Sequence, residues 1–163
     1  MGTNSISLII STTLTGLMAG LFFAWSVSVT PGLKNLSNAE FVASFQSMNR
    51  AILNPVFLSA FVGAAIASIV TCFFYFKGWG DLSFLLLLGA ALLYVIGVFG
   101  VTMLFNVPLN NLLDAVDLKT ANPQQLEEFR RSFEKPWNSY NTVRTICSFL
   151  SLLLSVVACI IKR

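Results

Sequence analysis

A chain of 163 residues that is 56% hydrophobic and only 10% charged, with a mean hydropathy of +0.78, lies outside the composition of ordinary soluble domains and reads as one small membrane domain. Its net charge of +3, from ten basic and seven acidic residues, sits mostly between apolar runs, and no basic cluster marks a nucleic-acid partner. The chain has no histidine, which removes the commonest metal and haem ligand and the commonest general base together.

Four runs nearly free of charge, 6–30, 55–76, 82–107 and 139–161, each exceed the twenty or so residues a helix needs to cross a hydrocarbon core about 30 Å thick. They are far too long for barrel strands, and in lipid every backbone N–H must find a partner within the protein. The predicted fold class is therefore all-α: an integral membrane four-helix bundle of two hairpins, with two short amphipathic helices on one side. Residues 1–163 form a single four-span domain in this reading.

The first run has no Lys or Arg ahead of it and is too long for the apolar region of a signal peptide, so it is expected to be a retained span. Gly16, Gly20 and Ala24 make a ridge of small residues that lets another helix approach closely, inside the bundle or in a homo-oligomer. Pro31 and Gly32 are expected to stop this helix. Ser37 and Glu40 then form a capping box, and Phe41, Phe45, Met48 and Ile52 follow as one stripe of a short amphipathic helix. Pro55 restarts the chain into the second span.

The tight connection 77–81 carries Gly78 and Gly80, which permit positive φ, and Trp79, whose ring suits the headgroup level. Both termini, with Lys162 and Arg163, fall on that side. Pro108 is expected to interrupt the end of the third span. Asn122 and Pro123 supply an N-cap and a first-turn proline for a second short helix. Leu126, Phe129 and Phe133 lie on one side of it and Glu127, Glu128, Arg130, Arg131 and Glu134 on a solvated face. Pro136 is expected to end it, with Trp137 at the interface. Each half thus reads as span, proline-bearing exit, amphipathic helix, Asn/Arg re-entry and span, a plan compatible with a pseudo-twofold axis along the membrane normal. Cys72, Cys147 and Cys159 fall inside spans with no metal-ligand spacing and are read as packing residues.

Polar residues gather at the span ends on the long-loop side: Asn49, Arg50 and Asn54, then Asn106 and Asn110, then Asn138, Tyr140, Asn141 and Arg144. The spacings stack Arg50 on Asn54, Asn106 on Asn110 and Asn141 on Arg144. A guanidinium inside a span is costly in lipid, so Arg144 is expected to face the bundle interior or a water-filled cavity. On this reading Arg50 and Arg144 share a polar pocket with Asn54, Asn106 and Asn110, and Trp25 is a candidate wall. The competing reading has Arg144 snorkelling to the interface while the asparagines cap and bridge helices.

The segments FAWSVSVTPGL (23–33), FQSMNRAILNPVF (45–57), NVPLN (106–110) and WNSYNTVRT (137–145) resemble, in that order, the bacterial branch of the anthrone oxygenase-like membrane family. The resemblance covers essentially the whole chain. It implies a multi-pass protein of the bacterial cytoplasmic membrane which, in the namesake branch, oxidises a tricyclic anthrone to an anthraquinone with molecular oxygen and without a known cofactor or metal. The catalytic candidates are then Arg50, Arg144 and Asn106. The substrate-binding candidates are Trp25, Asn49, Asn54, Asn110, Trp137, Asn138 and Asn141, around an apolar aromatic or phenolic small molecule. Glu40 and Asp114 are the candidates for a base. Two readings from other classes stand beside this one: a non-catalytic membrane module that binds a lipid, quinone or partner helix, and a transporter.

Overall fold

The computed structural model describes residues 2–161, and no strand occurs among them; the expected position of Met1, Lys162 and Arg163 lies outside the described residues. We number the continuous helices α1 (Thr3–Lys34), α2 (Asn38–Ile52), α3 (Pro55–Tyr75), α4 (Leu82–Asp114) and α5 (Pro123–Ile161). All but α2 are long and apolar enough to cross a membrane. They close a ring in which α1 packs on α3, α3 on α4, α4 on α5 and α5 back on α1, the up-down-up-down arrangement of a four-helix bundle.

The outside of the bundle is apolar, and its interior mixes apolar side chains such as Phe22, Phe61, Phe84 and Tyr94 with small hydroxyl residues. Ser7, Ser11, Thr15, Ser68, Thr71, Ser148, Ser151 and Ser155 are buried, whereas Phe73, Ile96, Leu104 and Phe149 are exposed. Lipid tails are as apolar as leucine, so nothing drives large side chains inward, and small hydroxyl residues let the helices approach. Their hydroxyls are satisfied locally, as where Ser68 donates to the Ala64 carbonyl at 2.7 Å and Ser151 to Ala90 on α4 at 2.8 Å. α4 and α5 approach closely at Gly97, where a Cβ would stand 2.5 Å from the Cys147 sulfur. All three cysteines are free, in line with a packing role.

Pro31 and Pro108 do not end their helices as expected. In α1 the proline is preceded by one widened turn, Trp25–Val29, and in α4 by a longer π-helical stretch, Leu93–Gly100 and then Thr102–Asn106. In both, the residue just before the proline donates its N–H five residues back, Thr30 to the Trp25 carbonyl and Val107 to the Thr102 carbonyl. A π-turn at this point makes the room that a proline ring requires, and the helix resumes. α1 therefore runs on to Lys34 and α4 to Asp114. The two halves share this device.

They differ at the next element, where the second amphipathic helix is not separate. It is the first third of α5, which continues through Pro136. Leu126, Phe133, Trp137, Asn141, Arg144, Ser148, Ser151, Ser155 and Ala158 form one buried face, and from Phe133 onward the steps of three and four never change phase. A mid-helix proline costs about 3 kcal/mol, while burying Leu126 and Phe133 contributes roughly 1.5–3 kcal/mol each, so the in-phase helix wins. Ser132, whose carbonyl loses its N–H partner to the proline, is exposed.

α2 forms as its capping box requires, with the Ser37 amide donating to Glu40 Oε2 at 3.0 Å and the Glu40 amide to Ser37 Oγ at 3.4 Å. It lies across α5 and the end of α4. Gln46 fixes it by donating to the Leu113 and Val116 carbonyls at 2.8 and 2.9 Å. Arg130, expected on a solvated face, instead turns inward: it donates to the Leu36, Lys34 and Leu33 carbonyls at 2.7, 3.0 and 3.5 Å and so satisfies the last carbonyls of α1. Its guanidinium carbon also lies 4.4 Å from the centre of the Phe41 ring. Asn122 caps α5, accepting from the Gln125 amide at 2.9 Å.

In the tight turn only Gly80 takes a positive φ, 91°, and Trp79 is exposed. This topology puts the α1–α2 and α4–α5 connections on one side and the Trp79 turn on the other. In a variant whose three native cysteines are serine, cysteines at Lys34 and Lys119 should label from the same face of sealed vesicles, and a cysteine at Trp79 from the opposite face. Labelling of positions 34 and 119 from opposite faces would contradict the topology.

Candidate functional site

The site forms where the two π-turns meet the middle of α5. The buried face of α5 carries Trp137, Asn141 and Arg144 into the bundle, and the π-turns present Trp25 and Ser26 from α1 and Thr102 and Asn106 from α4. Arg144 is 6% exposed. It donates from Nη2 to Asn141 Oδ1 at 2.8 Å and from Nη1 to Thr102 Oγ1 at 3.3 Å. Its guanidinium carbon lies 4.6 Å from the centre of the Phe22 ring and 5.4 Å from that of Trp137, within cation–π range.

Because a guanidinium only donates, the Asn141 amide must turn its oxygen toward Arg144 and its nitrogen away. That nitrogen donates to Ser26 Oγ at 2.9 Å. Ser26 pairs with Thr145 Oγ1 at 2.9 Å, and Thr145 reaches the Phe22 and Asn141 carbonyls at 3.1 and 2.9 Å. A chain of hydrogen bonds therefore links the charge to Ser26 in the first π-turn and on to the Phe22 carbonyl just ahead of it. Arg144 Nε and Asn106 Oδ1 are buried and have no hydrogen-bond partner.

Asn106 and Asn110 both hold Trp137. Asn110 Oδ1 accepts from the indole nitrogen at 2.7 Å, and Asn106, fully buried, donates to the Trp137 carbonyl at 3.5 Å. Trp137 in turn packs with Trp25 and Phe45 at ring-centre separations of 5.2 and 4.8 Å. Between these groups lies a cleft of about 90 Å³ that Trp25, Phe45, Asn49, Thr102, Asn110 and Arg144 help to line. It opens past Leu53, the only exposed residue of its lining. Leu53 sits at the tip of an inverse γ-turn between α2 and α3, with φ −77° and ψ 58°, closed by the Asn54 amide donating to the Ile52 carbonyl at 2.8 Å.

Of the ten residues singled out from sequence, seven meet here: Trp25, Asn49, Asn106, Asn110, Trp137, Asn141 and Arg144. Three do not. Arg50, expected to share the pocket with Arg144, is exposed and pairs with Asp114 at 2.6 Å, because α2 ends two residues later and presents it to the end of α4. Asn54 caps α3, accepting from the Phe57 amide at 3.0 Å. The chain break at Leu53 removes the shared helix face that a spacing of four from Arg50 implied. Asn138, one position from Trp137, lies on another side of α5 beside Lys34, Arg131 and Glu134. Neither candidate base reaches the cleft: Asp114 is the partner of Arg50, and the Ser37 hydroxyl and amide hold the Glu40 carboxyl below the usual range.

Sequence reasoning missed Thr102, Ser26, Thr145 and Phe45 as parts of the site. Thr102 was legible in principle, as the lone hydroxyl in the apolar stretch 95–105. The Gly16–Gly20 ridge opens a second, larger concavity of about 500 Å³ between α1 and α5, walled by Phe23, Ile146, Phe149 and Leu152. It is apolar apart from Thr145, whose hydroxyl is engaged, so it lacks the convergent polar groups of a specific small-molecule site.

Replacing Asn141 with Leu would leave an Arg144 N–H without a partner in the interior and Ser26 with Thr145 as its remaining side-chain partner. Leaving a buried charged donor unpaired costs about 1–3 kcal/mol or more, so unfolding in detergent should show a loss of roughly 2 kcal/mol. Asn138→Leu should be near neutral. Equal stability of the two variants would contradict the network.

Compared with known proteins, residues 45–154 match the family model described as Anthrone oxygenase. That match takes in α2 through most of α5 and includes Asn49, Thr102, Asn106, Asn110, Trp137, Asn141 and Arg144. No curated protein and no solved structure matches the chain. Four helices able to span a membrane and a match over more than half of the sequence make this chain a member of the anthrone oxygenase family.

Proposed function

We propose that the chain oxidises an apolar aromatic ketone or phenol, of which an anthrone is the type, with molecular oxygen in the Arg144 cleft and without a cofactor. The observation that carries this reading is the buried guanidinium of Arg144, which lines the cleft with one N–H unpartnered in a chain of this family. Arg144 is the group that touches the substrate oxygen. Asn106 and Asn110 are positioning residues that set Trp137, while Trp25, Asn49, Trp137 and Asn141 shape and hold the cleft.

An anthrone has a methylene carbon opposite its ketone. Loss of one methylene proton gives an enolate whose negative charge collects on the ketone oxygen, where preorganised donors act most strongly. The electron-rich carbon then reduces oxygen and binds it. The second methylene hydrogen leaves with the outer oxygen as hydroxide, which takes up a proton equivalent to the first one lost, so one anthrone and one dioxygen give one anthraquinone and one water. No residue lining the cleft is a general base, so the first proton passes to solvent hydroxide or water and the rate follows the substrate's own ionisation.

The cleft of about 90 Å³ is smaller than the roughly 300 Å³ at which sites enclosing whole drug-sized ligands begin. The carbonyl edge is therefore seated at Arg144 and the ring body lies toward Leu53 and Phe57, with the Leu53 turn moving aside. Purified protein in lipid nanodiscs should convert an anthrone to its anthraquinone faster than the spontaneous reaction, with one oxygen consumed per product and a rate that rises with pH. Arg144→Gln should lower kcat on the order of 10²-fold, the cost of losing one well-placed oxyanion donor. Wild-type protein giving no oxidation above background across a panel of anthrones would overturn this reading and leave a binding module.

A further inference from the structure

We infer that the Arg144 cleft selects its ligand in the ionised form, as the phenolate or enolate of a hydroxylated aryl ketone. The inference rests on reading the cleft as a ligand site, and it holds whether or not oxidation follows.

The buried guanidinium lacks a counter-charge. Each group that touches the guanidinium is neutral: Phe22 from α1, Thr102 from α4, and Asn141 and Trp137 from α5. α2 and α3 contribute Phe45, Asn49 and Phe57 to the cleft, and no residue lining it besides Arg144 ionises. The acids that could have served are committed elsewhere, Asp114 to Arg50 at the surface and Glu134 to the partly buried Arg130, and Glu40 to its cap. An isolated charge within a membrane protein is costly, and here hydrogen bonds to an amide and a hydroxyl answer it only in part.

Donor directions narrow the ligand further. The guanidinium has five N–H groups and no acceptor, so a hydroxyl proton pointed at it would meet donors only. The Asn141 and Asn110 oxygens are already taken by Arg144 and Trp137. A neutral phenol seated at Arg144 must turn its proton away from the guanidinium, whereas a bare oxygen can take the Nε–H that has no partner. Of the bare oxygens, an anionic one also supplies the missing charge. The Phe22 and Trp137 rings beside the guanidinium keep water from screening that pair.

The test uses a hydroxyanthraquinone, a flat product-like chromophore with no methylene to oxidise, whose absorption moves to longer wavelength when its phenol ionises. It is titrated with pH in nanodiscs carrying the protein and in empty nanodiscs of the same lipid, with saturable quenching of tryptophan fluorescence reporting occupancy. Wild-type protein should lower the titration midpoint of the bound chromophore by at least one pH unit, a tenfold preference for the anion. Arg144→Lys should keep part of the shift, and Arg144→Gln should abolish it. Saturable binding with a midpoint at or above that in empty nanodiscs overturns the inference, as does an absence of saturable binding. A lowered midpoint in protein that fails to oxidise anthrones would sustain the inference and sink the oxidase reading. Anthrone oxidation without the shift would do the reverse.

Discussion

Burial of the Arg144 guanidinium between α1, α4 and α5 is the constraint around which the rest of the bundle is organised. A guanidinium at that depth in lipid costs several kcal/mol, and turning it inward only helps if the interior is built to receive it. Asn141 and Thr102 accept from it, Phe22 and Trp137 cover it, and Ser26 and Thr145 hold Asn141 in the one orientation that faces a cation. Removing any of these would leave a donor or acceptor unpaired in a region of low dielectric, where the loss is greatest. The inward charge also explains why amide and guanidinium side chains concentrate at this end of the bundle, whereas the Trp79 end holds Leu8, Phe84, Leu87 and Ala158 with small hydroxyl residues such as Ser7, Ser11 and Thr71.

The two prolines of the long helices serve the same end. A proline in a helix ordinarily breaks or kinks it, yet Pro31 and Pro108 each follow a π-turn that removes the clash. The turn does more than accommodate the ring. It adds a residue to one turn and so rotates the flanking side chains, which places Trp25 and Ser26 on one side of Arg144 and Thr102 and Asn106 on the other. π-turns recur at functional sites because they re-aim side chains at the cost of local stability. Both hairpins carry one directly before the proline, and α4 carries a further π-helical stretch, Leu93–Gly100, that α1 lacks.

Much of this was legible in the sequence, and what was not has particular causes. Span number, the all-α class, the Ser37–Glu40 capping box and the Asn122 cap follow from run length and from the chemistry of orphan N–H groups, both local properties. The inward turn of Arg144 followed from the same energetics, and its grouping with Asn106, Asn110 and Asn141 followed from their shared depth, whereas Trp137, expected at the interface, joined the candidates through the family resemblance. Arg50, Asn54 and Asn138 were misplaced because depth does not fix direction: Arg50 and Asn138 share the level of the site yet point elsewhere, and the γ-turn at Leu53 that separates Arg50 from Asn54 has no strong sequence signature. Proline was read as a stop in three places where it is not one. At Pro136 the unbroken phase of Phe133, Trp137, Asn141 and Arg144 across the ring was the better guide.

The central claim is that the guanidinium of Arg144 sits inside the bundle and is held by neutral groups alone. An experimental structure in lipid, at a resolution that shows individual side chains, tests this most directly. The account predicts Arg144 nitrogen atoms at hydrogen-bonding distance from both Asn141 Oδ1 and Thr102 Oγ1, with the guanidinium between the Phe22 and Trp137 rings. Density for the guanidinium at the headgroup level, or paired with a carboxylate, would contradict it.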